Sequence, residues 1–424
     1  MADAQELPTE FLTKNVFVAG RSPDVTYNPR NDWQLEAEVN SYLWQGPGKA
    51  LSISGPTKSG KTVLVERLLP EHEAIWMQGS DLASVEDFWD AIIDWLGLYD
   101  LVEVTRQRGT QQGTKVGGSI GIPKIASIGA DKTDGIREDR GRRLSRQQAV
   151  TAVARAGLKD LPVPVVVDDF HYVEEAAKQP IARAIKTLIP TTSVVLIAVP
   201  HEAFDAIRRE TDMGGRIAQL AIEPWSTDEL MYISEHGFEA LGVTDGQAVG
   251  TTLAESSYGA PFLMQELCFE YTLSLGVQRT ADPPVRAEAP PNWDAFFRRI
   301  ANRNPSMIFG HLLNGPKTRG QHRIDRVFKD GRKTDIYGAL LYAIAMTGPK
   351  AAVSYQELSA TINEYLEDQI SSQQITSSLN HMSDIAKHHR GSGDQAVAYK
   401  DDSLYILDPF LLFFLRHGDW DVMK

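Results

Sequence analysis

The eight residues Gly55-Pro56-Thr57-Lys58-Ser59-Gly60-Lys61-Thr62 constrain this chain more than any other stretch. They fit the pattern GxxxxGK[ST], and their flanks fit as well. Ala50 to Ser54 reads as a short buried strand, and Val63 to Leu69 as a helix. A strand that runs through a glycine-rich turn into a helix gathers backbone amides and a helix N-terminus at one point, which is an anion site. Gly55 and Gly60 let the backbone close around phosphate oxygens with no side chain in the way. Lys61 is expected to reach the β- and γ-phosphates, and the Thr62 hydroxyl to hold Mg²⁺. Residues 55–62 are the expected nucleotide-binding loop.

Such a loop needs a second acidic site, and Val165-Val-Val-Asp168-Asp169 supplies one. The apolar run predicts a buried strand, whose C-terminal end is where a parallel sheet presents ligands. Asp168 is the expected Mg²⁺ partner, through water. Asp169 stands where a general base or water-orienting residue belongs. Aspartate is one methylene shorter than glutamate, so slow turnover is expected.

From 50 to about 225, predicted strands and helices alternate, which implies a parallel sheet covered on both faces. The later strands are 74–77, 163–167, 193–199 and 216–222; the helices are 85–96 and 174–188. Residues 104–146 interrupt the alternation with ten Lys or Arg against four Asp or Glu. Three readings stand for them: a disordered surface loop, a nucleic-acid contact or an intersubunit contact. Residues 226–276 predict three helices, with Thr227-Asp-Glu-Leu230 starting the first. Residues 281–291 are Pro-rich and read as a linker. Residues 298–333 are basic, with ten Lys or Arg facing only Asp325 and Asp330. Helices over 336–346, 355–366 and 373–388 and a hairpin over 396–407 follow, the order of a winged helix.

Four features carry a resemblance. They are the loop 55–62, Val166-Val-Asp-Asp-Phe-His171, Gly259-Ala-Pro261 within Ser257 to Leu267, and Tyr405 to Leu415. In this order the chain resembles AAA+-related ATPases of the STAND type and their winged-helix relatives in archaea and bacteria. The fold implied is α/β: a parallel-sheet P-loop NTPase core over 1–225, a helical lid over 226–276, a linker and basic segment over 277–334, and a C-terminal winged-helix domain over 335–424. The resemblance places Pro261 near adenine and makes Val18 to Arg30 the lining of the adenine pocket, with Tyr27 or Arg30 as contacts. It makes Arg216 an arginine that reaches a neighbour's nucleotide, with Arg208 and Arg209 as competing candidates. Two departures stand out: Pro200-His201 replaces the expected polar sensor, and Phe262 stands where related initiators carry arginine.

What the resemblance implies is a molecular switch that binds ATP with Mg²⁺, turns over slowly, and controls assembly as a homo-oligomer or with a protein partner, in bacterial or phage-defence signalling. The alternative is a DNA-binding initiator, loader or transposition regulator, and a third reading is a scaffold without turnover. In the third helix of the winged helix, Ile375, Leu379, Met382 and Ile385 predict an apolar face, leaving Gln374, Ser378, Asn380 and Lys387 for a DNA groove. A formal charge of −13 argues against a protein that coats nucleic acid along its whole surface. The single cysteine, Cys268, excludes an internal disulfide and a cysteine-only metal site, and reads as core. With no apolar run of spanning length and an acidic, polar start, a cytoplasmic protein away from the membrane is expected.

Overall fold

The structure is a computed structural model and describes residues 10–99, 150–199, 215–303, 305–317, 323–348, 350–388 and 395–421. The insertion 104–146, His201, Arg208 and Arg209 lie outside the described residues. The chain divides into two compact units: one of 29–55 and 61–222, the other of 1–28, 56–60 and 223–424.

The unit of 29–55 and 61–222 is built on a five-stranded sheet of β1 (Ala50–Ser54), β2 (Ile75–Gln78), β3 (Val165–Asp168), β4 (Val194–Ala198) and β5 (Ile217–Ala221). All pairings are parallel, in the order β2-β3-β4-β1-β5. Side chains alternate across a strand, so one apolar run feeds two cores. Val165, Val167, Val194, Leu196 and Ala198 face one core, against Val85–Leu96, Glu175–Leu188 and the helix over 150–160. Leu51, Ile53, Val166, Val195 and Ile197 face the other, with Leu35, Val39 and Tyr42 of Leu35–Gln45 and Leu64 and Val65 of Lys61–Leu68. This doubly covered sheet needs no polar alternation, which is why its central strands are mostly apolar. Gln34, left-handed at φ 51°, separates a short 3₁₀ turn, Asn31–Trp33, from the α-helix Leu35–Gln45.

In the other unit, three helices follow β5 as expected: Thr227–Ala240, Gln247–Glu255 and Pro261–Ser274. The cap of the first is one residue earlier than the sequence suggests. Ser226 accepts from the Glu229 amide and Glu229 returns the bond, leaving Thr227 as the first helical residue. The Pro-rich stretch over 281–291 is held against these helices: Val285 and Arg286 pair in parallel with Val243 and Thr244, and the Tyr271 hydroxyl donates to the Glu288 carbonyl. Helices Trp293–Arg303 and Met307–Asn314 precede the winged helix. That module has helices Ile336–Met346, Tyr355–Tyr365 and Ser372–His388, a three-stranded sheet of Ala352–Ser354, Ser403–Ile406 and Val397–Lys400, and a last helix, Pro409–His417. One continuous apolar cluster runs from Leu230 through Phe297 and Leu340 to Leu415, so the three helices after β5 and the winged helix share a core. Cys268 lies fully buried within it.

Candidate functional site

In the sheet unit, the end of β1 and the end of β3 converge. Lys61 opens its helix, is buried, and folds its ammonium back to donate to the Gly55 carbonyl at 3.1 Å. The Thr62 hydroxyl donates to Asp168 Oδ2 at 2.9 Å. Asp168 Oδ1 accepts from the Asp169 amide at 2.9 Å. Burial raises the Asp168 pKa above the ordinary carboxylate value, opposed by the Thr62 bond, the Asp169 amide and the charges of Lys61 and His171. A hydroxyl and a buried carboxylate form a hard-oxygen donor pair, and the unfavourable burial of the charge is what a divalent cation offsets, so these residues fit Mg²⁺.

Asp169 is half-buried and left-handed, at φ 50° and ψ 44°. A residue that sequence reasoning missed leaves room for it there. Gly79 follows β2, where Gln78 is in register with Asp168. A Cβ on Gly79 would lie 2.1 Å from the Asp169 carbonyl oxygen. The available signal was a glycine two residues past a predicted strand, a residue type that often marks a close backbone approach.

Arg216 is exposed and is not brought to this site. Its carbonyl accepts from the Ala50 amide, and Ala50 and Ser54 pair with Ile217 and Ala221. It therefore stands at the opposite end of β1 from the loop, about 15 Å away along the strand.

Residues Pro56, Thr57, Lys58, Ser59 and Gly60 belong to the other unit. The Trp225 indole donates to the Ser59 carbonyl at 2.9 Å, and the Trp225 amide to the Gly259 carbonyl at 3.2 Å. Trp225 thus ties the loop to the turn before Pro261, the buried first residue of its helix. Sequence reasoning missed Trp225, whose signal was its place just after the last core strand. Among the described residues, Ser59 Oγ is buried with no hydrogen-bond partner, an orphan that a phosphate oxygen would satisfy. The Lys58 ammonium lies 3.7 Å from Asp408 and over the rings of Phe410 and Phe262. In the expected base-lining segment, the buried Gln265 amide accepts from the Val18 amide and donates to Thr26, and Gly20 packs on Phe262. Tyr27 is half-buried; Arg30, in the sheet unit, is buried and lies over the Trp33 ring.

Two expectations about DNA are corrected. Ser378 is buried, because it lies on the same helical face as Ile375 and Met382, whereas Gln374, Asn380 and Lys387 are exposed. The basic stretch 298–333 is not opposed only by Asp325 and Asp330. Arg298 pairs with Asp419, Arg299 and Arg303 with Glu270, Arg323 with Asp335, and Arg332 with Asp330. Three of the four acids come from outside the stretch, a neutralisation that linear counting misses. Among the described residues there is no metal-ligand cluster of His, Cys, Asp and Glu, and no helix long and apolar enough to cross a membrane.

No protein-family model and no curated protein matches this chain. Among solved structures it is similar to the Walker-type ATPase paby2304 of Pyrococcus abyssi, at 13% identity over 94% of this chain and 99% of that one, with a TM-score of 0.53. The fold is that of a P-loop NTPase. It is also similar to Cdc6p of Pyrobaculum aerophilum, at 12% identity over 95% and 97% of the two chains with a TM-score of 0.42. The ORC2 protein of Aeropyrum pernix, in ADPNP-ADP complexes, gives 12%, 95% and 96%, with a TM-score of 0.46.

Proposed function

We propose that this chain is an ATP-dependent molecular switch that binds Mg·ATP through residues 55–62 and Asp168 and hydrolyses it slowly. The observation that carries the reading is the Thr62 hydroxyl on the buried Asp168 carboxylate, beside Lys61 folded over Gly55. Lys61 and the loop amides bind and orient the phosphates. Thr62 and Asp168 hold Mg²⁺, which when bound neutralises phosphate charge. Asp169 orients the attacking water and accepts its proton, while the water oxygen bonds to the γ-phosphorus and the bond to the β–γ bridging oxygen breaks. Pro261 lines the base, and Arg216 serves a neighbouring copy in a homo-oligomer. Nucleotide shifts a conformational equilibrium only through unequal affinity for its states, and a protein partner reads the result.

The paired arginines favour this switch over a DNA-binding initiator, since cations already neutralised within the chain release few counterions from DNA. The test is calorimetry with ATP and ADP in Mg²⁺, followed by sizing of the full chain with each nucleotide and with duplex DNA. Nucleotide uptake that Lys61→Ala removes, with a nucleotide-dependent size and indifference to DNA, is the expected result. Absence of uptake by folded protein, or uptake untouched by Lys61→Ala, would overturn it.

A further inference from the structure

Lys58 is a non-glycine residue held left-handed, at φ 59°, inside the loop. That conformation strains any side chain-bearing residue and favours glycine, so the geometry asks what the lysine does there. Its ammonium lies 3.9 Å from the centroid of the Phe410 ring and 5.6 Å from that of Phe262, and 3.7 Å from Asp408 Oδ1. The two rings meet edge to face at 5.5 Å. The same Asp408 oxygen accepts from the Phe410 amide at 2.9 Å and caps the helix Pro409–His417. One carboxylate oxygen therefore serves both the loop's cation and the first turn of the last helix of the winged helix. All of these residues belong to one compact unit.

Resting on the reading of residues 55–62 as the nucleotide loop, we infer that Lys58 is a positioning residue that couples occupancy of this loop to the cap of helix Pro409–His417. Lys58 lies within the loop, so a phosphate that draws in the loop amides shifts its backbone, and the side chain carries that movement to Asp408. A shifted ammonium changes the charge felt by the capping oxygen and hence the bond it accepts from Phe410. Phe262 contributes the second wall around the cation, a role arginine could not fill because two cations would repel. The coupling is reciprocal: whatever moves the helix alters the loop's affinity for nucleotide.

The Phe410 amide is a one-bond reporter. Hydrogen exchange at Phe410–Leu412 is measured on the full chain without nucleotide and with saturating Mg·ADP or Mg·ATP. In the parent, Mg·ATP is expected to change the exchange rate of these amides about tenfold, the size of a cation–π contact and a half-exposed ion pair together. Asp408→Asn keeps a capping side chain but loses the charge, and Phe410→Leu keeps the apolar packing but loses the π face. Both variants, and Lys58→Gln at saturation, are expected to lose the nucleotide response. A purely structural cluster would leave the response in place in all three. The proposal is overturned if the parent binds Mg·ATP and these amides do not respond, or if they respond equally in Lys58→Gln. If the parent binds no nucleotide, the reading of residues 55–62 itself fails and the coupling falls with it.

Discussion

Replacing Gly79 by alanine tests whether the close approach of β2 to the Asp168–Asp169 segment sets the site. The added methyl would stand 2.1 Å from the Asp169 carbonyl oxygen, 2.8 Å from its carbonyl carbon and 3.2 Å from the Phe170 Cα. All three are backbone atoms, so no side-chain rotation relieves the overlap, and the segment must move by about 1 Å to reach ordinary contact. Overpacking of this kind costs about 1–3 kcal/mol. Displacing Asp169 also weakens its amide bond to the Asp168 carboxylate, a charge-assisted bond worth about 1.5–3 kcal/mol. Urea denaturation of the full chain is expected to show a loss of about 2–4 kcal/mol, with Mg·ATP affinity down about tenfold. Gly310→Ala is the control: it lies in helix Met307–Asn314, its new methyl meets nothing within 4 Å, and its φ is ordinary. Helix propensity makes that variant more stable by about 0.5–1 kcal/mol. If Gly79→Ala matched the parent in both stability and nucleotide affinity, the close approach at Gly79 would not be what positions Asp169.

Other perturbations follow from the same structure. Asp335→Ala removes the cap accepting from the Tyr337 and Gly338 amides and strands the partly buried Arg323, so thermal and chemical denaturation should show a loss of about 3–5 kcal/mol. Burial, with Arg416 nearby, lowers the His417 pKa from 6.5 to about 4. The folded state thus keeps His417 neutral where the unfolded chain binds a proton: its contribution is fully present above pH about 6.5 and is lost as pH falls towards about 4. That loss is at most about 3 kcal/mol, since part of the ring meets water, and a His417→Phe variant should lack it when stability is followed against pH. The raised Asp168 pKa acts in the opposite sense at the acid end, so the comparison with His417→Phe isolates the histidine. Neutralising Arg298, Arg299 and Arg303 to glutamine should change the salt slope of any duplex-DNA binding by less than about 1, because Asp419 and Glu270 already occupy them; a larger change would revive the DNA reading.

Much of the nucleotide core was legible in the residues because its signals are local. A strand buried on both faces is predominantly apolar, so 50–54, 165–168 and 194–198 announce themselves. Helix starts carry their caps beside them, as at Ser84 and Asp87. The helices of the winged helix were readable to within a residue or two for the same reason. Ser378 was misjudged because a serine on a buried helical face looks, in one dimension, like any exposed hydroxyl.

By itself, then, the chain's order of residues determined the glycine-rich turn after β1, the acidic pair at the end of β3 and the succession of strands and helices, since turn chemistry, periodicity and capping act over a few neighbouring positions. Only the tertiary structure decided which distant groups meet: Thr62 with Asp168, Gly79 beneath Asp169, Trp225 on Ser59, Glu270 and Asp419 on the arginines of helix Trp293–Arg303, and Lys58 between Phe262, Phe410 and Asp408. Those pairings depend on strand order and on how helices pack, and neither distance nor charge neutralisation across hundreds of residues is written into any local pattern.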